Sequence, residues 1–392
     1  MGKNKGSFSV CFVSSYHPRE CGIATFTQSI IDYIDMPKEK IKIVSISDKP
    51  GFYKYGSEVI HEAFTEDKSS FVSAAEKINK DPDIKVVSIQ HVFSLFGGKY
   101  GENILSFMRR IKKPIVTTFH MVYSKNSSPN KFEVVDSSYS EITDKIIKMS
   151  DKIVVIIQPM ADILIDQYGV DKEKIIIIPH GNPAVKRQLP GKYKKLLGIG
   201  KGKMISSFGL IRPKKGLEHV IYAMPEVVKK YPDARLFILG ESHPNRSADY
   251  YNFLVEESKK INLLNKNIFF VNRFLSFREI INYIFATDVF ITPYLVPEQT
   301  SSGAIAYAMG CGKAIISTPF VYAKEVLADK RGLFVNYADS ESIFKAIDFF
   351  FSNPKKRKRM ESLAFEYAQK NSFKIVAYKY LKLFREVSNN NK

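Results

Sequence analysis

The sequence predicts an α/β protein made of two doubly wound domains. Its 392 residues exceed the usual length of a single domain. Short β-branched runs alternate with stretches of helical spacing, and the alternation is interrupted once, by a polar stretch near the middle. Such alternation is typical of a parallel sheet covered by helices on both faces. Hydrophobic residues at 45% and charged residues at 25% are ordinary for a folded protein, so extended disorder is not expected.

The first domain is predicted to span residues 1–190. Its strands are predicted from β-branched runs at residues 8–14, 41–46, 84–90, 114–120, 152–157 and 174–178. Helical spacing of apolar residues is found between most of these runs, at residues 24–34, 103–111, 138–149 and 160–168. Ligands of such sheets bind beyond the carboxyl ends of the strands, so we expect a site at that edge.

The second domain is predicted to span residues 191–372. A polar stretch rich in Lys and Gly, residues 184–202, is predicted to be the linker and hinge before it. The strands of the second domain are expected at residues 203–208, 234–240, 267–271, 288–292, 313–317 and 332–335. Its helices are expected at residues 217–230, 250–261, 277–285, 302–309 and 340–351. Two domains of this class imply a ligand cleft between them.

A last helix is predicted within residues 373–392. Tyr378, Leu381, Phe384 and Val387 recur there at helical spacing. Such an apolar face needs a partner surface, and the first domain is one candidate for it.

The formal charge of +19 suits an anionic partner such as a nucleotide, an acidic glycan, a lipid surface or nucleic acid. The charge does not choose among them, because an AT-rich genome would give a similar composition. The basic run at residues 355–359 opens a helical stretch and is interpreted as a solvated helix face. Since the sequence has no recognition-helix, zinc-finger or RNA-module signature, nucleic acid is not the expected partner.

The three cysteines have no metal-ligand spacing and are interpreted as thiols in a reducing compartment. Residues 1–6 lack an apolar signal segment, and no window has the roughly 18 apolar residues that a membrane span needs. We therefore expect a cytoplasmic protein.

The segment around residues 292–303 carries the clearest chemical signal. A strand ends there, a polar loop follows, and a helix of small residues begins near Ser301, Ser302 and Gly303. Free backbone N–H groups and the positive end of a helix dipole suit a phosphate group. Glu298 and Gln299 precede this turn and suit sugar or ribose hydroxyls. The alternative is that Ser301 is a simple helix cap and Glu298 is solvated.

Arg212 and Lys215 lie in the loop after the first strand of the second domain. Cations at this position can neutralise a diphosphate leaving group, and arginine can do so through two parallel hydrogen bonds. The alternative is a basic surface loop.

Gly22 and Thr25 follow the first strand, where a glycine permits close approach of a ligand to the backbone. The pattern is not GxGxxG, so a nicotinamide-dependent oxidoreductase loses most of its support. His91 and His120 lie at or just past strand ends, where each is either structural or directed at a ligand. The sequence has no HExxH motif, no DxD pair at a strand end and no Cys/His cluster, so no metal is expected.

Together these segments resemble the family 4 retaining glycosyltransferases. That family has the GT-B architecture, an α/β fold of two Rossmann-like doubly wound domains facing across a cleft. The resemblance covers nearly the whole chain and rests on five segments in order: the loop at Gly22, the strand ending in His120, the junction 178–181, the loop 209–216 with Lys215, and the helix end 308–313. A bacterial branch with an Arg-Glu-Cys-Gly opening, a Gln-His pair and an Asn-Arg-Phe-Leu run is more similar still.

The resemblance implies a hexosyltransferase with a nucleotide-sugar donor, held mainly by the second domain, and no cofactor or metal. The acceptor, held mainly by the first domain, is a glycan, a lipid-linked molecule or a small molecule. Since many relatives use lipid-linked acceptors, peripheral attachment to an anionic inner membrane face is a further expectation. The implied catalytic residues are His120, Glu298 and Lys215. The implied donor-binding residues are Arg212, Lys215, Gln299, Ser301, Ser302 and Gly303. The implied acceptor-side residues are Gly22, Thr25 and His91.

The sequence departs from the family pattern at two places. Family members commonly carry two glutamates with seven residues between them, and here Gln299 and Tyr307 occupy those positions, with Glu298 one place early. The family also commonly has Arg directly after the phosphate-loop glycine, where this chain has Leu210. These departures keep open a sugar phosphorylase of the same fold and a sugar-nucleotide binder without activity.

Overall fold

The computed structural model describes residues 8–125, 136–242 and 244–389. The chain divides into two compact units, one made of Met1–Gly181 with Phe373–Lys392 and the other of Asn182–Ser372. Residues 182–190, which the sequence analysis assigned to the first domain, therefore belong to the second unit. Residues 1–6, in which the sequence shows no apolar signal segment, lie outside the described residues.

The first unit is built on strands and helices in alternation. The strands are β1 (Ser9–Ser14), β2 (Ile41–Ser47), β3 (Val59–Phe64), β4 (Ile84–His91), β5 (Ile115–Phe119), β6 (Lys152–Val155) and β7 (Ile175–Ile177). The helices before residue 181 are α1 (Gly22–Tyr33), α2 (Lys68–Lys80), α3 (Ile104–Met108), α4 (Ser137–Met149) and α5 (Gln158–Asp166). In the described part of this unit the strands form one seven-stranded parallel sheet.

The strand order of this sheet is β3-β2-β1-β4-β5-β6-β7. The chain therefore reverses its direction of progress across the sheet between β1 and β4, and ligands of open α/β sheets bind beyond the carboxyl ends of the strands at such a point. Both strands at this reversal point lead to a predicted site residue: Gly22 begins the helix that follows β1, and His91 is the last residue of β4.

The register of β4 with β5 decides which side chains share a face of the sheet. Gln90 is opposite Thr118, and His91 is opposite Phe119. Successive side chains of a strand point to opposite faces, so Gln90, Thr118 and His120 share one face while His91 shares the other with Phe119.

The second unit repeats the plan. Its strands are β8 (Met204–Phe208), β9 (Arg235–Leu239), β10 (Ile268–Val271), β11 (Val289–Thr292), β12 (Ala314–Ser317) and β13 (Leu333–Phe334). Its helices are α6 (Pro190–Leu196), α7 (Leu217–Lys230), α8 (Pro244–Lys260), α9 (Phe277–Ala286), α10 (Gly303–Gly310), α11 (Val321–Val326), α12 (Ser340–Ser352) and α13 (Pro354–Lys370). Within the described ranges the six strands form a parallel sheet of order β10-β9-β8-β11-β12-β13. Its reversal lies between β8 and β11.

The predicted linker at residues 184–202 is not a free connection, because α6 packs into the second unit. Lys194 is 7% exposed, and its Nζ lies 2.5 Å from Asp288 Oδ2 and donates to the carbonyl oxygen of Gly202 at 2.7 Å. Arg187 binds Glu361 of the same unit at 2.6 Å. Arg187 and Lys194 thus attach part of this stretch to the second unit, and the hinge predicted for residues 184–202 stays a prediction.

The final helix, α14 (Phe373–Asn389), returns to the first unit. Of the predicted apolar face, Leu381, Phe384 and Val387 are buried, whereas Tyr378 is exposed and does not belong to the packed face. Phe384 packs edge-on against Phe12 of β1, and Phe373 packs against Phe26 of α1. The helix thus covers the face of the sheet that carries Gln90 and His120. None of the helices in the described ranges is long and apolar enough to cross a membrane.

Candidate functional site

In the second unit, the loops after β8 and β11 meet at the reversal point of the sheet. The N–H of Leu295 donates to the carbonyl oxygen of Lys214 at 2.9 Å. The Nζ of Lys215 lies 3.5 Å from the centre of the Tyr294 ring, within the range of a cation–π interaction. The fold therefore brings together the two loops that the sequence analysis chose separately.

Gly216 makes this close approach of the two loops possible. It has a φ of +62° and ends the short 3₁₀ turn Pro213–Lys215. A Cβ at this position would lie 2.3 Å from the carbonyl oxygen of Pro293. Only glycine fits both the left-handed backbone and the contact. Arg212 lies just before the same turn and is half-buried.

The helix α10 begins at Gly303, and its cap is Ser302. The Ser302 Oγ accepts a hydrogen bond from the N–H of Ile305 at 3.3 Å, and the residue is 5% exposed. Ser301, for which the sequence analysis considered a capping role, precedes the cap and is half-buried. The first N–H groups of α10 lack carbonyl partners within the helix, as at every helix start, and can bind an anion.

Glu298 and Gln299 are placed differently. Gln299 is 8% exposed, and its Nε2 donates to the carbonyl oxygen of Ser301 at 2.8 Å, so its side chain braces the loop. Glu298 is half-buried, and its Oε2 is buried with no hydrogen-bond partner among the described residues. A buried acceptor without a partner is costly, which makes Glu298 the better candidate for binding ligand hydroxyls.

Two further polar atoms accompany Glu298. Within the described part of the chain, the Thr300 Oγ1 and the Tyr337 hydroxyl are also buried without a hydrogen-bond partner. Burial and the nearby charge of Glu298 raise the pKa of Tyr337 to about 12, so the phenol remains a hydrogen-bond donor. Tyr337 was not predictable from the sequence, because it follows the last short strand and has no motif around it.

Tyr307 occupies a position where the family commonly has glutamate. Its ring stacks with Phe208 at a centroid distance of 6.3 Å and packs edge-on against Phe277 at 5.7 Å. The residue is 5% exposed. An aromatic stack therefore takes the place of a ligand-binding carboxylate.

In the first unit, Gly22 is the first residue of α1. A Cβ at Gly22 would meet no atom within 4 Å, so the backbone there borders open space. The preceding Cys21 gives the helix no side-chain cap. Thr25 is half-buried, and its hydroxyl donates back to the carbonyl oxygen of Cys21 at 3.3 Å. This helix start has the open amides that an acceptor or an anion would contact.

His120 and His91 do not share a face. His120 is 4% exposed, its Nε2 lies 3.0 Å from Gln90 Oε1, and Phe26 packs edge-on against its ring. His91 stacks on Phe96 on the other face, and neither of its ring nitrogens has a hydrogen-bond partner among the described residues. Burial lowers the pKa of both histidines to about 3, so both are neutral. The two histidines thus point to opposite faces of the sheet, and the acceptor-side role predicted for His91 stays a prediction.

His180, at the junction after β7, also packs against Phe26, with ring centroids 5.1 Å apart. Its Nδ1 lies 2.8 Å from the carbonyl oxygen of Gly181, and burial lowers its pKa to about 4. Over the described residues, no group of three His, Cys, Asp or Glu side chains is arranged to hold a metal ion.

Two family profiles match the chain one after the other. The profile named Glycosyltransferase Family 4 matches residues 65–183, and the profile named Glycosyl transferases group 1 matches residues 192–367. The first ends at the junction that closes the first unit, and the second begins within α6 of the second unit.

Two curated relatives are similar over part of the chain. An uncharacterized glycosyltransferase of Methanocaldococcus jannaschii is 27% identical over 257 residues, which are 64% of this chain and 62% of that protein. A GDP-mannose-dependent monoacylated alpha-(1-6)-phosphatidylinositol monomannoside mannosyltransferase of Corynebacterium glutamicum is 27% identical over 201 residues, 49% of this chain and 48% of that protein. The matches thus span less than two thirds of either relative.

Solved structures show the same fold over almost the full length. HepE of Anabaena, determined in complex with UDP, is 13% identical with a TM-score of 0.74 and covers 97% of this chain and 100% of its own. Sucrose-phosphate synthase of Thermosynechococcus elongatus is 14% identical with a TM-score of 0.75 over 97% and 100% of the two chains. The fold is that of the GT-B glycosyltransferases. With two parallel doubly wound sheets and both family profiles matched in order, the chain belongs to the family 4 glycosyltransferases.

Proposed function

We propose that the protein transfers a sugar from a nucleotide-sugar donor to a hydroxyl of a glycan, a lipid-linked molecule or a small molecule, with retention of configuration and without an essential metal. The observation that carries the proposal is the meeting of the Lys215 loop with the loop that leads into α10. A cation and a helix start at one edge of a sheet suit a diphosphate. The UDP in the HepE structure and the GDP-mannose in the mannosyltransferase's name support a nucleotide-sugar donor.

In this proposal, charge stabilisation of the leaving group drives the reaction. The bond between the anomeric carbon and the diphosphate oxygen breaks, and negative charge develops on that oxygen. Lys215, Arg212 and the N–H groups at Ser302 and Gly303 stabilise the charge. The acceptor oxygen bonds to the anomeric carbon on the face that the diphosphate leaves, and the departing phosphate oxygen takes the acceptor's proton. In this route no enzyme side chain acts as the nucleophile. The sequence offers no carboxylate pair with the spacing expected for a covalent glycosyl-enzyme mechanism.

The remaining residues bind and orient in this proposal. Glu298, with the hydroxyl groups of Thr300 and Tyr337, binds donor hydroxyls, while Gln299 and Ser301 hold the shape of the loop. His120 contacts a sugar hydroxyl, and the open helix start at Gly22 with Thr25 serves the acceptor. His91, packed against Phe96 on the other face, has no ligand-binding role in this proposal.

The proposal includes residence in the cytoplasm at an anionic membrane face. A groove of about 580 Å³ on the first unit is lined by α14 and the end of α1. Tyr378 is 63% exposed there, and Ile375 and Lys374 lie beside it. Exposed aromatic and aliphatic groups next to a cation suit the interface of an anionic bilayer. Co-sedimentation with phosphatidylglycerol vesicles should fall in the variant Tyr378→Ser, and equal binding by the variant would contradict this part.

The donor site is tested by a thermal-shift panel of UDP, GDP, ADP and inorganic phosphate on the wild type, Lys215→Ala and Lys214→Ala. Lys214 is the matched control, since its contact to the other loop is made by its backbone carbonyl and survives the change. We expect one nucleotide to raise the melting temperature of the wild type and of Lys214→Ala but not of Lys215→Ala. The comparison uses the ligand-induced shift, because loss of the contact with Tyr294 also lowers the stability of the free variant.

Other outcomes of the panel separate the alternatives. A rise with phosphate alone would replace the transferase with a sugar phosphorylase of the same fold. A nucleotide response without sugar transfer to any acceptor tested would indicate a sugar-nucleotide binder, for which the stack around Tyr307 is the structural argument. Turnover that is abolished by EDTA and restored by a divalent cation would contradict the metal-independent route.

A further inference from the structure

Gln90 is a buried polar residue to which the function proposed so far gives no role. It is the penultimate residue of β4, next to His91, but lies on the face that carries Thr118 and His120, and it is 1% exposed. A glutamine side chain has two donors on its nitrogen and an acceptor oxygen, so its partners decide its orientation.

The partners of Gln90 form a chain of hydrogen bonds. Its Nε2 donates to Ser88 Oγ at 3.2 Å and to Thr118 Oγ1 at 3.5 Å, and Thr118 Oγ1 is 3.0 Å from the hydroxyl of Tyr380 on α14. Its Oε1 is then directed at His120 Nε2, 3.0 Å away. Because an amide oxygen only accepts, the ring nitrogen must be the donor.

We propose that Gln90 is a positioning residue that fixes the neutral tautomer of His120, with the proton on Nε2 and the lone pair on Nδ1. In that state Nδ1 accepts a hydrogen bond from a ligand hydroxyl and does not donate one. The assignment of a sugar hydroxyl to Nδ1 rests on the proposed function, whereas the tautomer itself does not.

The surroundings of the ring agree with a fixed orientation. Phe26 packs edge-on against His120 with centroids 4.7 Å apart, which restricts rotation of the ring. Among the described residues, the hydrogen bond of the His120 side chain is the one to Gln90. His91, one residue from Gln90 and equally buried, has no such bond in the described part of the chain, so burial alone does not supply one.

The tautomer can be read directly by long-range ¹H–¹⁵N correlation of the histidine rings in ligand-free, ¹⁵N-labelled protein. The His120 signals are assigned as those lost in His120→Gln or, if that variant does not fold, by eliminating the signals lost in variants of the other histidines. We expect a protonated, pyrrole-type Nε2 and an unprotonated, pyridine-type Nδ1 in the wild type. A pyrrole-type Nδ1 would overturn the proposal.

The role of Gln90 is tested with Gln90→Met, which keeps the length of the side chain and removes its hydrogen bonds. The His120 nitrogens should move to averaged shifts typical of mixed tautomers, while the His91 signals on the other face remain unchanged as an internal control. Unchanged His120 shifts would overturn the proposal. If Gln90→Met does not fold, Thr118→Val tests the same chain of bonds through the orientation of the amide. The tautomer is measured in the absence of any sugar, so this result does not depend on the proposed function. A protein with this tautomer but without a response to any nucleotide would contradict the proposed function and leave the role of Gln90 intact.

Discussion

Three histidines of the first unit should make its stability fall steeply in mild acid. Burial lowers the pKa of His91 and His120 to about 3 and that of His180 to about 4, whereas an unfolded histidine titrates near 6.5. Below pH 6.5 the unfolded chain binds protons that the folded unit does not. Stability from these groups is therefore fully present above pH 6.5 and is lost as the pH falls towards the folded values.

The size of the effect follows from linkage. At pH 5.5, one unit below the unfolded pKa, each histidine costs about 1.4 kcal/mol, and the three together cost about 4 kcal/mol. Domains are commonly stable by only about 5–15 kcal/mol, so this loss should be visible at a pH where most carboxylates are still ionised. His91 is the best single test, because its removal breaks no hydrogen bond in the described part of the structure.

The assay is hydrogen exchange of peptides from β4 and β5 in urea, at pH 7.5 and pH 5.5, after correction for the intrinsic pH dependence of exchange. Peptide resolution is needed to measure the free energy of opening of the first unit alone, because a chain of two units has no single unfolding free energy. His91→Leu should lose about 1.4 kcal/mol less than the wild type between the two pH values. Phe119→Leu, on the same face and without a titrating group, is the control and should lose as much as the wild type. An equal loss in His91→Leu and wild type would refute the reasoning.

Three further changes probe the second unit. Gly216→Ala forces a left-handed alanine against Pro293 and should cost the second unit about 1–3 kcal/mol, measured by hydrogen exchange of peptides from β8 and β11 in urea, and should weaken the nucleotide-induced thermal shift; unchanged values would contradict the loop contact. Lys194→Met leaves the largely buried Asp288 without its cation and should cost about 3–5 kcal/mol. Because Asp288 also accepts a hydrogen bond from the N–H of Met204, Lys194→Met with Asp288→Asn, which removes the charge and keeps an acceptor, should recover most of this loss. Glu298→Gln should leave the melting temperature of the unliganded protein unchanged or higher, because it removes a charge whose Oε2 is buried without a partner among the described residues. It should reduce the thermal shift caused by the nucleotide sugar. A lower melting temperature with an unchanged ligand-induced shift would indicate a structural role.

The sequence predicted the fold wherever strands are buried runs of apolar residues. The residues of β1 from Val10 to Val13 are fully buried, and such runs leave little ambiguity. The strand β3 and the helix α2 were missed. In β3, His61 and Glu62 interrupt the apolar pattern because the strand lies at the edge of the sheet, where half-buried polar residues are tolerated. The helix α6 was missed because Lys194 is the side chain that it buries in the second unit, and a polar sequence does not show whether a lysine is buried or solvated.

The candidate site was predictable in its loops and not in its side-chain directions. The carboxyl ends of strands in an alternating pattern indicated the positions of Lys215, Ser302 and Gly22 without any tertiary information. The direction of the β4 side chains was not predictable in the same way. The alternation of a strand shows that Gln90 and His91 point oppositely, but the pairing of Gln90 with Thr118 decides which of them joins His120. That register is a tertiary property, and one sequence does not contain it.

The position of Tyr307 explains how the second unit can differ from its family and still offer a hydroxyl-binding group. A carboxylate at 307 would stand between Phe208 and Phe277 at a residue that is now 5% exposed, where an unpaired charge is costly. The aromatic stack and the loss of the glutamate therefore belong together as one change. Glu298, one place before the family position, has a buried oxygen that the described protein groups leave without a bond, beside the hydroxyl-bearing Thr300 and Tyr337. Three polar atoms left unsatisfied near one loop are costly to the free protein, and that cost is recovered when ligand hydroxyls bind. The second unit thus has a reason to bind a hydroxyl-rich donor through Glu298, even though the second family glutamate is absent.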